Sequence, residues 1–212
     1  MTNSQNKTPS IRLTVSICLL IVALIMGVMF MTHHQQKTTA ADTTETTILP
    51  TAKLIPPIKL ITDKNRAFTE KNFLGHWTLL FFGFTHCPDI CPTTLATLKQ
   101  VYPELHARIP SLQIVFASIE PQQDTPATLQ HYLRGFNADF IGITGTEKSM
   151  QALQQPLGIF SMTSHDQNTE HSTALLLINP RGKWVALLPP RLEAEPLKQA
   201  VLDSIRVIMS KG

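Results

Sequence analysis

The 212-residue chain has little charge, few cysteines and almost no excess of either charge sign. Charged residues make up 16% of it, against about 25% in an ordinary soluble domain, whereas apolar residues are plentiful, which excludes an intrinsically disordered chain. The net charge of +3 is too small for the clustered basic surface that nucleic-acid binding usually needs. Three cysteines are too few for a small fold held together by disulfides.

The apolar residues are concentrated in one stretch, residues 13–31 (LTVSICLLIVALIMGVMFM), which contains no charge. A helix of about 20 apolar residues spans the hydrocarbon core of a membrane. Because Lys7 and Arg12 precede the stretch, the positive-inside rule places residues 1–12 in the cytoplasm. We therefore predict one uncleaved anchor in a bacterial inner membrane, with Cys18 as a packed bystander and the C-terminal domain on the periplasmic side. The alternative is a cleaved signal peptide, whose apolar core is shorter, about 7–15 residues.

The remainder of the chain is predicted to consist of a tether and one globular domain. Residues 32–53 are interpreted as a flexible tether, because the Thr- and Ala-rich segment 38–51 shows no helical or strand period. Residues 54–212 are long enough to bury a full core of their own.

The order of apolar patterns in this domain predicts an α/β fold. Continuous apolar runs at 76–84 and 112–119 are typical of strands buried on both faces. Helical spacing predicts helices over 90–105, from 126 onward, over 148–157 and over 197–209. A short strand at 140–143 and a hairpin of 173–179 with 183–188, turned by Asn-Pro-Arg-Gly, complete the order. Parallel βαβ units followed by a hairpin and a last helix are typical of the thioredoxin fold, with an added strand near 58–62.

The two remaining cysteines, Cys87 and Cys91, directly follow the first buried strand, in the sequence THCPDICP. Their spacing at a helix start puts both sulfurs on one face, where the unpaired N–H groups and the helix dipole favour the thiolate form. A thiolate is both a nucleophile for disulfide exchange and a soft metal ligand. The spacing is wider than that of the thioredoxin-like redox motif and leaves room for an ion. Inert packing and a static disulfide, which would close only a very short loop, are the alternatives.

A third ligand is available in His171, in the sequence TEHST just before the first hairpin strand. In a thioredoxin fold the loop before this strand faces the helix start that carries the cysteines. Two thiolates and one imidazole suit Cu(I) or zinc. We therefore predict that Cys87, Cys91 and His171 bind a metal ion together.

Four segments of the domain resemble the Sco (SenC) family of thioredoxin-like copper proteins. They are FFGFTHCPDICPTTL (81–95), IEPQQDTP (119–126), FIGITG (140–145) and EHST (170–173). The resemblance implies that Cys87, Cys91 and His171 take the positions of the family's copper ligands. The sequence departs from the family pattern at Glu120 and Glu170, where aspartate is common, and in the hairpin, where Leu176 and Asn179 replace an aromatic residue and an aspartate.

The resemblance also implies a function. It indicates a metallochaperone, not an enzyme, that delivers copper as Cu(I) or Cu(II) to the binuclear copper site of cytochrome c oxidase subunit II. The implied partners are the copper domain of that subunit and another copper chaperone or a thiol reductase. The alternative is a thiol–disulfide oxidoreductase in which Cys87 and Cys91 keep the oxidase cysteines reduced, without needing His171. A peroxiredoxin is disfavoured, because Thr85 precedes Cys87 by two residues, not three.

Overall fold

The computed structural model describes residues 46–159, 174–189 and 193–210, together with the isolated positions Leu19 and Met26. The chain divides into two units, Met1–Thr43 and Thr44–Gly212. In the described part of the chain, no helix has the length and apolar character needed to cross a membrane. The predicted N-terminal segment 1–12, nearly all of the anchor over 13–31, and Cys18 lie outside the described residues and stay predictions.

The strands of the second unit form one mixed sheet. In chain order the described strands are β1 (Thr47–Leu54), β2 (Leu60–Thr62), β3 (Ala67–Phe68), β4 (Trp77–Gly83), β5 (Leu112–Ser118), β6 (Ile141–Thr144), β7 (Leu175–Ile178) and β8 (Lys183–Leu188). Across the sheet the order is β1-β8-β7-β4-β5-β6-β2-β3. The central strands β4, β5 and β6 run parallel, and every other neighbouring pair is antiparallel. All seven residues of β4 are buried, as expected for a strand covered on both faces.

Helices cover both faces of this sheet. The described α-helices are α1 (Ile90–Arg108), α2 (Pro126–Arg134), α3 (Glu147–Gln154) and α4 (Ala194–Ser210), and short 3₁₀ turns lie at Glu70–Phe73 and Gln155–Leu157. Successive side chains of a strand point to opposite faces. Accordingly Leu79 and Phe81 of β4 pack with α1, α2 and α4, whereas Leu80 and Phe82 pack with α3. The cysteine-bearing helix α1 therefore lies on the same face as α2.

The structure confirms the predicted order of elements, in which parallel βαβ units are followed by a hairpin and a closing helix. The hairpin turn is held by Asn179, whose carbonyl accepts a hydrogen bond from the Gly182 N–H at 2.9 Å. The Asn179 side chain also accepts from the N–H groups of Arg181 and Lys183. Gly182 has a φ of +69°, a conformation that glycine adopts without strain. The hairpin thus returns the chain antiparallel to β7, as the sequence predicted.

The end of the predicted tether is part of the sheet. Residues Thr47–Leu54 form β1, which pairs only with β8 and so lies at the edge. Its pairing is irregular between Ile48 and Lys53, around Pro50, which has no N–H to donate and is tolerated at edges and bulges. Ile48 and Leu49 are the apolar residues of this strand that pack against the two cores. Because few side chains of this edge strand are buried, its sequence shows no alternation of apolar and polar residues. The sequence therefore predicts a tether up to residue 53.

Candidate functional site

The cysteine pair lies where the central strand β4 gives way to α1. Cys87 is half-buried, Cys91 is 2% exposed, and both are free thiols. The N–H of Cys91, in the first turn of α1, donates to the Cys87 sulfur over 3.4 Å. The N–H of Cys87 donates to the Phe84 carbonyl at 3.2 Å. The strand end and the helix start therefore bring the two predicted cysteines together, here as two free thiols.

The sulfur of Cys91 fits against a strand position that carries no side chain. A Cβ atom added to Gly83 would lie 2.7 Å from the Cys91 Sγ and 2.8 Å from a ring carbon of Phe116, closer than packed atoms tolerate. Gly83 is thus a site residue that the sequence analysis missed. The available signal was a single glycine inside the bulky apolar run LLFFGF, since an isolated glycine in a strand often marks a close approach.

Burial decides the protonation of Cys91. Removal from water, followed by the hydrogen bond with Cys87, raises the pKa of the Cys91 thiol far above its ordinary value. A hydrogen bond with the Phe84 backbone acts in the opposite direction but is outweighed. The predicted thiolate form therefore does not hold for Cys91 in the copper-free protein, because removal from water favours the protonated thiol. A metal ion that binds this sulfur must displace its proton.

A buried carboxylate anchors the loop that leads into the pair. Asp124, which is 0% exposed, accepts hydrogen bonds from the Thr85 hydroxyl at 2.6 Å and from the Ser118 hydroxyl at 2.7 Å. The Thr85 N–H donates to the same carboxylate at 3.2 and 3.3 Å. Asp124 thereby joins the residue two before Cys87 to the end of β5. In the sequence, Asp124 stands in the segment IEPQQDTP (119–126), and nothing local to that segment predicts its contact with Thr85.

The third predicted ligand, His171, lies outside the described residues. Within the described ranges, no group of three or more His, Cys, Asp or Glu side chains is placed to hold a metal ion. The strand that follows His171 is informative, however. Leu175 of β7 pairs with Phe81 of β4, so β7 begins at the sheet end where β4 leads to the cysteines. Ala174, which directly precedes Leu175 in the chain, is buried. The ligand set of two sulfurs and one imidazole stays a prediction.

Fold and site together define a class: a thioredoxin-like α/β protein with a reduced cysteine pair at a strand–helix junction. The SCO1/SenC family model matches residues 46–206, which is most of the chain. The chain therefore belongs to the SCO1/SenC family.

Individual relatives agree with this assignment. A protein of Stutzerimonas stutzeri named as copper-binding is 34% identical over 173 residues, which cover 78% of this chain and 85% of that protein. The human mitochondrial SCO1 homolog is 32% identical over 136 residues, covering 61% of this chain and 45% of that protein. The chain thus spans less than half the length of the human relative. The crystal structure of Arabidopsis thaliana ScoI with copper bound has a TM-score of 0.65 at 30% identity, covering 72% of this chain and 98% of that one.

Proposed function

We propose that this chain is a copper-binding protein of cytochrome c oxidase assembly, which holds copper through Cys87, Cys91 and His171. It passes the copper to the binuclear copper site of oxidase subunit II. The observation that carries the proposal is the free cysteine pair at the β4–α1 junction, with a hydrogen bond linking the Cys91 N–H to the Cys87 sulfur. Membership of the SCO1/SenC family and the copper bound in the Arabidopsis structure support it.

The donor atoms suit copper as the cargo. Soft thiolate ligands select Cu(I), and imidazole is a common further ligand. The half-buried Cys87 gives the site an opening to a partner, whereas Cys91 holds the inner side. His171 precedes β7 by only a few residues, and β7 begins beside the end of β4. Three or four residues span at most about 10–14 Å, so His171 lies within that distance of the start of β7.

The proposal includes the location of the domain. We propose that residues 13–31 anchor the chain in a bacterial inner membrane and that residues 32–46 tether the domain on the periplasmic side. The charge-free apolar run and the basic residues before it support this arrangement. An oxidase copper domain facing the same compartment would then be within reach.

A thiol–disulfide exchange function is the second candidate, and the same pair supports it. The half-exposed Cys87 would attack a partner disulfide, and the buried Cys91 would resolve the mixed disulfide. The balance is one disulfide formed between Cys87 and Cys91 for one disulfide broken in the partner, whose two sulfurs leave as thiols. A thiol reductant would then have to restore the pair.

One experiment separates the two functions. The reduced, Cu(I)-loaded chain is mixed with an isolated oxidase copper domain, once in reduced and once in disulfide form, while copper and free thiols are followed together. We expect copper to move to the reduced domain with no change in its thiol count. Loss of the partner's disulfide without copper movement would contradict the chaperone function and support the exchange function. A chain with Cys18→Ser is the matched control for thiols outside the site.

A further inference from the structure

A buried tyrosine hydroxyl group near the cysteine pair makes no hydrogen bond with any residue that the structure describes. The phenol oxygen of Tyr132 is buried and has no hydrogen-bond partner in the part of the chain that the structure describes. Buried hydroxyl groups in folded proteins nearly always have a partner, and the exceptions often belong to functional sites. The ring itself is well packed, with its centroid 5.3 Å from that of Phe136 in an edge-to-face contact. The hydroxyl group, not the ring, therefore needs an explanation.

Tyr132 and the sulfurs share one corner of the core. The Tyr132 ring lies 5.9 Å from the Phe116 ring between centroids. Phe116 in turn borders the space over Gly83 that the Cys91 sulfur occupies. Cys87 and Tyr132 both pack against the cluster that contains Cys91 and Phe116. Tyr132 of α2 and Cys91 of α1 thus both border the ring of Phe116.

Electrostatic interactions agree with this placement. Burial is the main cause that raises the pKa of Tyr132, and Cys91, Cys87 and Asp124 act in the same direction when they are ionised. The phenol keeps its proton at neutral pH, and its chemical role near the sulfurs is that of a hydrogen-bond donor.

We propose that Tyr132 is a positioning residue of the copper site, whose O–H group donates a hydrogen bond to the Cys91 sulfur when copper is bound. The inference rests on the proposed copper-binding function. The sulfur of a neutral Cys91 thiol is only a weak hydrogen-bond acceptor, so it gains little from a nearby O–H donor. Once copper has displaced the thiol proton, the sulfur carries negative charge in apolar surroundings, and a donor without another partner stabilises it.

The two oxidation states of copper should respond differently. Two thiolates and Cu(I) together carry one net negative charge, whereas two thiolates and Cu(II) are neutral. A hydrogen bond to the sulfur stabilises the more negative complex more. Hydrogen bonds to ligand sulfurs tune reduction potentials in this way. Tyr132 therefore favours bound Cu(I) over bound Cu(II).

The test is Tyr132→Phe in the full chain, with Cu(I) affinity measured by competition with a chromophoric chelator. We expect the affinity for Cu(I) to fall about tenfold, in the range reported for partners of metal ligands. The affinity for Cu(II) should fall less, so the potential of the bound copper should become lower. The copper-free variant should unfold at an equal or higher denaturant concentration, because an unpaired buried hydroxyl group has been removed. A purely structural residue would not give opposite effects on stability and copper affinity.

Two further variants serve as controls. Tyr102→Phe removes the other tyrosine hydroxyl of the chain, on the middle of α1, and should leave both affinities unchanged. Thr94→Val removes a second buried hydroxyl without a partner among the described residues; it lies one turn after Cys91 and should also have little effect. Equal Cu(I) affinity in Tyr132→Phe and the wild-type protein would overturn the inference, as would a loss confined to Thr94→Val. A wild-type protein that binds no Cu(I) would instead overturn the proposed function on which the inference rests.

Discussion

Replacing Cys87 or Cys91 by serine is expected to lower the affinity of the reduced protein for Cu(I) by about 10²- to 10³-fold. Sites with four protein ligands bind zinc with about 10–16 kcal/mol, or about 2.5–4 kcal/mol for each ligand, and every 1.4 kcal/mol is a factor of ten. A serine hydroxyl keeps the size of the side chain but is a hard, protonated oxygen, which Cu(I) binds poorly. Equilibrium competition with a Cu(I) chelator measures the loss.

The matched control for these variants is Cys18→Ser, which changes the remaining cysteine of the chain. It should bind Cu(I) like the wild-type protein, because Cys18 is predicted to lie in the anchor. If Cys18→Ser lost copper while either Cys87→Ser or Cys91→Ser retained it, the assignment of the paired sulfurs as ligands would be wrong. The same three variants report on disulfide exchange, in which Cys91→Ser should trap a mixed disulfide on Cys87.

Asp124→Asn is expected to destabilise the domain by roughly 2–4 kcal/mol, because hydrogen bonds to a charged group are each worth about 1.5–3 kcal/mol. The carboxylate accepts from Thr85 and Ser118 through both of its oxygens. An amide keeps only one acceptor and turns an NH₂ group toward these donors. The loop before Cys87 then loses its link to β5, and Cu(I) affinity should fall as well. Denaturant unfolding of the copper-free protein and chelator competition measure the two effects.

Asp139→Asn is the matched control, since Asp139 is exposed and an exposed substitution usually changes stability by less than about 0.5 kcal/mol. An Asp124→Asn protein that unfolds at the wild-type denaturant concentration would show that the carboxylate does not hold the loop. Wild-type copper affinity in a clearly destabilised Asp124→Asn protein would instead restrict Asp124 to the stability of the fold.

The parts of the fold that the sequence predicts well are those whose burial is uniform. The strands β4 and β5 appear as continuous apolar runs because both of their faces are covered. The edge strand β1 has no such run, since it pairs on one side and packs apolar side chains on the cores only at Ile48 and Leu49. The pattern of apolar residues along the sequence therefore predicts the central strands, but it does not predict an edge strand that contains a proline.

The sequence likewise predicts some features of the candidate site and not others. The spacing of Cys87 and Cys91 predicts their proximity because both positions belong to one strand–helix junction. The close packing around the Cys91 sulfur depends on Gly83 and Phe116, and the anchoring of Thr85 depends on Asp124, 39 residues away. Contacts between distant segments follow from the packing of the sheet, and the sequence pattern around the cysteines does not contain them. The donor Tyr132, on a different helix from the cysteines, is a further example.

The central claim is that two sulfurs and one imidazole hold copper, and X-ray absorption at the copper edge of the Cu(I)-loaded chain tests it most directly. The wild-type protein should show two sulfur ligands and one nitrogen ligand. His171→Ala should lose the nitrogen and keep both sulfurs, while His86→Ala, which changes the exposed histidine next to Cys87, should keep all three. A nitrogen ligand that persists in His171→Ala, or a wild-type copper with fewer than two sulfurs, would contradict the account.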